Sequence, residues 1–104
     1  MATNRLETLK SMVAQDPRNT FSRYGLAMEY RNSGDLEAAI QEFQTLIAGS
    51  PDYVPAYFHG GQTLERAARV DEARDWYQRG IDASLRTGDA HARSELEAAL
   101  SMLG

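Results

Sequence analysis

A chain of 104 residues and 11.6 kDa, 42% hydrophobic and 25% charged, has the make-up of one folded domain with room for its own core. It contains no cysteine, which excludes a disulfide framework, a thiolate metal site and a cysteine nucleophile, and fits a reducing compartment. The net charge of −4, with ten Arg and one Lys as its cations, argues against the broad positive surface that nucleic-acid binding rests on.

The first helix is expected over residues 4–15. Leu6, Leu9, Met12 and Val13 form its apolar stripe, and Thr3 or Asn4 can cap it. The opening stretch MATNRLETLK has no apolar targeting core, and no run in the chain approaches a membrane span. A cytoplasmic protein without a membrane partner is therefore expected. Asp16-Pro17-Arg18-Asn19 is a loop, and a second helix follows over 20–33 with Leu26, Ala27 and Tyr30 on one face.

The turn Asn32-Ser33-Gly34-Asp35 ends that helix and starts the next. Gly34 can take the positive φ of a helix C-terminus, and Asp35 can accept from the free N–H groups that follow. The third helix, 36–48, buries Ala39, Ile40, Phe43, Leu46 and Ile47, and Gly49-Ser50-Pro51 stops it. A fourth helix is expected over 54–67, with Pro55 in its first turn where a missing N–H costs nothing, and a fifth over 71–85. Thr87-Gly88-Asp89 breaks the chain. The last helix, 90–102, sets Leu96, Ala99, Leu100 and Leu103 on one side and His91, Arg93, Glu95 and Glu97 on the other.

Displaced by 34 residues, the pattern repeats. Ala27 falls on Gly61, Tyr30 on Leu64, Ala39 on Ala73 and Phe43 on Tyr77; in the other direction Pro51 falls on Pro17, Phe43 on Leu9 and Ile47 on Val13. Helix–turn–helix units at this period resemble the tetratricopeptide repeat, whose pattern is W-x2-L-G-x2-Y…A-x3-F…P. Leu26, Ala27, Tyr30, Ala39, Phe43 and Pro51 carry the match in one unit, and Tyr57, Gly61, Leu64, Ala73 and Tyr77 in the next. The chain departs from the pattern where Arg23 stands for Trp, Gly60 for Leu, Ala68 for the turn Gly and Leu85 for the closing Pro.

The resemblance implies an all-α, right-handed solenoid of six helices in a single domain, 1–104. Within it, 4–15 is a half repeat, 20–51 and 54–86 are full repeats, and 90–103 is a capping helix with one apolar and one polar face. It also implies a non-catalytic module for protein–protein interaction, in which the first helix of each unit lines a concave groove. The groove-facing residues are then Phe21, Tyr24, Met28 and Arg31, with Asn32, in one unit, and Phe58, His59, Gln62 and Arg66, with Glu65, in the next. Phe21, Tyr24, Met28 and Phe58 would bury an apolar peptide or amphipathic segment, while His59, Gln62 and Arg66 orient it by hydrogen bonds. On that reading Tyr24→Ala with Phe58→Ala abolishes partner capture and leaves melting nearly unchanged. At the positions where relatives clamp the carboxylates of chaperone tails with Lys and Asn, this chain has Tyr24, Met28, His59, Asp89 and Arg93, so that ligand is not expected.

Catalysis finds no support. His59-Gly60-Gly61 lacks a nucleophile elbow and a sheet to carry one, and the eight glycines form no phosphate loop. The only histidines, His59 and His91, have no ligand spacing that calls for a metal, so neither a metal nor a cofactor is expected. Arg66, Arg69, Arg74 and Arg79 are interleaved with Asp71, Glu72, Asp75 and Asp82 and read as an ion-paired, solvated face. The alternative to a ligand groove is structural: a self-assembling module, pairing as a homodimer through an end face or the groove, or a scaffold in a larger complex. The partner is a protein or peptide, and the chain itself a monomer or a homodimer.

Overall fold

Side chains at the loop ends decide where the helices begin. In the computed structural model, which describes residues 4–104, Asn4, Asn19, Asp35 and Asp89 each accept a hydrogen bond from the N–H group three residues on. The distances are 3.3, 2.9, 3.2 and 3.0 Å. The helices are α1 (Arg5–Gln15), α2 (Thr20–Asn32), α3 (Leu36–Gly49), α4 (Val54–Arg66), α5 (Val70–Thr87) and α6 (Ala90–Met102). Thr3, the other expected cap of α1, lies outside the described residues. Tyr53 and Arg69 precede α4 and α5 without capping them, and Pro55 sits in the first turn of α4 as expected.

The two inner turns are built alike. After α2, Gly34 has φ 90° and the Asp35 N–H donates back to the Tyr30 carbonyl at 3.0 Å. Thirty-four residues on, Ala68 has φ 63° and the Arg69 N–H donates to the Leu64 carbonyl at 2.8 Å. Both follow the left-handed helix terminus that favours glycine. Ala68 is the one described residue other than glycine with positive φ. The fifth helix runs from Val70 to Thr87 rather than over 71–85. Leu85 does not interrupt it as a proline would, and it ends where Gly88 turns left-handed at φ 73°.

Successive helices pack pairwise in chain order, and α2 also touches α4, as α4 touches α6. The odd-numbered helices make no such contact with one another, so the even-numbered layer is the tighter one, on the inside of the curve. The body measures 42 × 28 × 19 Å. Its core runs along the seam between the layers: Leu26, Ala27, Ala39, Phe43, Tyr57, Leu64, Ala73, Tyr77 and Leu96 are all buried. Small residues set the spacing. A Cβ at Gly60 would run into the Trp76 ring, and one at Gly61 into the Tyr77 ring, so α4 approaches α5 as closely as its backbone allows.

At the amino-terminal end α1 has a neighbour on one side only. Leu6, Leu9 and Val13 are half-buried against α2, and Met12 remains 42% exposed. In α6 Leu96 is fully buried while His91, Arg93, Glu95 and Glu97 face solvent, so this helix has one apolar and one polar face.

Candidate functional site

The inner stripe of α2 and α4 has two parts of different character. Towards α1 lies a hollow of about 280 Å³ whose apolar walls are Leu9, Met12, Phe21, Tyr24 and Met28, with Arg5, Glu29 and Asn32 at its rim. Arg5 and Glu29 pair across it at 3.1 Å. Phe21 is the most exposed aromatic here, at 79%, and it also borders the shallow surface around Ser50, Pro51 and Tyr53. Phe21 stands so far out because it lies in the first turn of α2, beyond the reach of α4. Towards α4 a second hollow, of about 410 Å³, is lined by Arg31, Gln62, Glu65 and Arg66.

Between the hollows runs a chain of packed rings, edge-on in every pair but Phe58–Tyr77, which is tilted at 44°. Tyr24 packs against Phe43 (6.4 Å between centroids), Tyr53 (5.3 Å) and His59 (6.0 Å), and Phe58 against His59 (5.3 Å) and Tyr77 (6.4 Å). Tyr24 and Phe58 are thus half-buried and packed on core residues. Removing them takes away core contacts, so their packing argues for a lowered melting temperature in Tyr24→Ala with Phe58→Ala rather than an unchanged one. Helical spacing places both on the inner face, but it does not show how deeply a side chain sinks between neighbouring helices. Phe58 leans on Tyr77 of α5, and no ring pair joins it to Phe21.

His59 is held by its neighbours. Its Nδ1 lies 3.1 Å from Nη1 of Arg31. A guanidinium can only donate, so Nδ1 accepts and the ring proton sits on Nε2. Burial, and then the Arg31 charge, push the His59 pKa below its ordinary value, with Glu95 opposing them. The Tyr77 hydroxyl donates to Glu65, and burial together with that carboxylate raises the phenol's pKa. No three His, Cys, Asp or Glu side chains converge on a point among the described residues.

The structure therefore brings Tyr24, Arg31 and His59 together, and sets Gln62 and Arg66 around one hollow with Arg31. Phe21 and Met28 belong to a different hollow, shared with α1. The contribution of Leu9 and Met12 to it was absent from the expected groove. Gly25, half-buried where a Cβ would come within 3.1 Å of Leu9, is the sequence signal for that close approach. Of the arginine cluster, Arg69 bridges Glu37 and Glu72, each at 2.7 Å, and Arg79 lies 3.6 Å from Asp75. The ion-paired reading holds for these, and not for Arg66 or for Arg74, which meets only the Gly104 carbonyl at 3.3 Å.

Stacked antiparallel helix pairs, with an inner layer lined by aromatic and polar side chains, define an α-helical repeat protein. Residues 24–85 match the tetratricopeptide repeat, and the chain belongs to that family. A TPR repeat-containing protein of Pseudomonas aeruginosa is 28% identical over 98 residues, 94% of this chain and 93% of its own. The solution structure of a tetratricopeptide repeat domain protein from Salinibacter ruber is 36% identical with a TM-score of 0.80, covering 85% of this chain and 89% of that one. PcrH, solved in complex with the chaperone binding region of PopD, superposes with a TM-score of 0.88 over 94% of this chain and 74% of its own. At 13% identity that is a likeness of fold. No described helix is long and apolar enough to cross a membrane.

Proposed function

We propose that this chain is a non-catalytic binding module that takes an apolar or amphipathic segment of a partner protein along the inner face of α2 and α4. The observation that carries this reading is Phe21, exposed beside an apolar hollow whose other walls are Leu9, Met12, Tyr24 and Met28. Exposed aromatic and methionine side chains around one concavity suit an incoming apolar side chain, whose burial is worth roughly 25 cal/mol per Å² removed from water. That PcrH, of the same fold, was solved with a region of PopD supports a protein segment as the kind of ligand this shape takes. In this reading 4–15 is a half repeat, 20–51 and 54–86 are the full repeats that carry the groove, and 90–103 closes the stack.

The test is affinity capture from the native host's lysate with wild type and Phe21→Ser, once both are matched in size and melting. A protein retained by wild type and lost with Phe21→Ser supports the reading. Equal retention by both refutes it, and a concentration-dependent dimer that retains nothing replaces it with self-assembly.

A further inference from the structure

The cations of this chain are nearly all spoken for. Among the described residues, every Arg and Lys except Arg18, Arg31 and Arg66 has a carboxylate within 4.0 Å or, for Arg74, a backbone carbonyl at 3.3 Å. Two of these three exceptions, Arg31 and Arg66, line the same hollow on the inner face. Its one carboxylate, Glu65, accepts from the Tyr77 hydroxyl and makes no ion pair. Two guanidinium groups against one carboxylate leave this patch positive on a chain whose net charge is −4.

Arg31 is also poorly satisfied at rest. One nitrogen donates to a neutral imidazole, and its Nε is buried without a hydrogen-bond partner. A buried unpaired donor on a charged group is costly, and guanidinium groups are met elsewhere in proteins with carboxylates, often through two parallel bonds. Among the described residues no carboxylate lies within 4.0 Å of Arg31 to supply the partner charge. Gln62 stands beside it with an amide that can both donate and accept.

We propose that the segment bound in this groove presents a carboxylate to Arg31 and Arg66, so that the occupant is an acidic amphipathic segment rather than a purely apolar one. The inference rests on the binding reading given above. Arg31 lies ten residues along α2 from Phe21, about 15 Å at the rise of an α-helix. The acid therefore falls about four or five residues from the apolar anchor in an extended segment, or about ten in a helical one. The carboxylate is that of an Asp or Glu side chain within the segment, since the positions that clamp a tail carboxylate in relatives are not filled for it here.

The probe is a displayed library of short random peptides, selected on the full chain. Enriched peptides are then synthesised and measured by fluorescence anisotropy against wild type, Arg31→Gln, Arg66→Gln and Phe21→Ser, each first matched in melting. Enriched peptides are expected to carry an acid at the stated spacing. Replacing that Asp or Glu by its amide should weaken binding to wild type about tenfold or more, whereas capping the C-terminus as an amide should not; the reverse result overturns the inference. The side-chain replacement should have little further effect once Arg31 or Arg66 is Gln. Added salt should weaken wild type more than either variant. Arg66 is exposed, so Arg66→Gln tests the idea even if Arg31→Gln disturbs folding. Peptides that need Phe21 but tolerate both arginine changes overturn this inference and leave the groove standing. Peptides indifferent to all three variants, or no enrichment at all, overturn the groove as well.

Discussion

Replacing Ala68 by glycine should stabilise the protein, although it removes a methyl group and adds none. Ala68 is held at φ 63° in the turn between α4 and α5, where Gly34 stands at φ 90° in the equivalent turn 34 residues earlier. An L-residue in the left-handed region costs about 1–2 kcal/mol that glycine does not. Against this, glycine gains roughly 0.4–1 kcal/mol of backbone freedom in the unfolded chain. Nothing else changes. The turn is closed by backbone bonds alone, from the N–H groups of Ala67, Ala68 and Arg69 to the carbonyls of Thr63, Glu65 and Leu64 at 3.0, 2.9 and 2.8 Å, and the Ala68 methyl faces solvent. The balance is about 0.5–1 kcal/mol in favour of Ala68→Gly, or roughly 2–6 °C in melting temperature for a domain of this size. Thermal melts by circular dichroism and urea midpoints would read it. Gly34→Ala serves as the mirror control and should lose a similar amount. A melting temperature unchanged or lowered in Ala68→Gly, with Gly34→Ala destabilised, would show that the second turn does not carry the strain argued here.

Three further outcomes follow from packing and charge. Gly60→Leu, which installs the family's usual residue, should destabilise by about 3 kcal/mol or prevent folding, because the new side chain enters the space of the Trp76 ring; urea denaturation measures it. Tyr24→Ala with Phe58→Ala should lower the melting temperature by several degrees, since both rings pack on core residues; a melt superimposable on wild type would contradict their placement. The folded protein holds the His59 pKa below the unfolded value of about 6.5, so the unfolded chain binds that proton first. Stability should be flat above pH 7 and fall as pH drops through 6.5 towards the folded pKa, and His59→Gln should flatten that slope in urea midpoints taken across the range.

Most of the architecture is legible from local chemistry, because the residues that end helices are few and conspicuous. Gly34-Asp35 and Gly88-Asp89 mark stops and starts directly, and the expected spans agree with the observed helices to within two residues. The turn at Ala68 carries no such mark, and it is read only by placing it over Gly34 at the 34-residue interval. The site is less legible. A stripe at helical spacing says which side of α2 and α4 a residue occupies, and that was enough to gather Tyr24, Arg31, His59, Gln62 and Arg66 on one face. Depth depends on what the neighbouring helices send across. Tyr24 is covered by Tyr53 and His59, whereas Phe21, one turn away, is 79% exposed. The Arg31–His59 bond joins residues 28 apart in sequence, and periodicity carries no information on such a pair.

The departures from the repeat pattern make sense in pairs rather than singly. Arg23, where the family has Trp, is only 16% exposed, and it is satisfied by Glu42 at 2.6 Å and by the Pro17 carbonyl at 3.2 Å. The positions 34 residues on are Tyr57 and Trp76, both buried. One unit thus fills this part of the interhelix seam with an ion pair, the other with two aromatic rings. Gly60 belongs to the same exchange: it stands where the first unit has Leu26, and the volume it gives up is taken by Trp76. Changing either partner alone is then costly in a predictable way. Arg23→Tyr would strand Glu42, 23% exposed, without its counter-charge, and Gly60→Leu would compete with a ring already in place. The turns show a parallel exchange. Asp35 caps α3 with its side chain, and Arg69 at the same place caps nothing but ties Glu37 to Glu72 across the two turns. A residue that breaks the pattern in one helix therefore points to a compensating residue in the helix packed against it, and only the pair states what that position contributes.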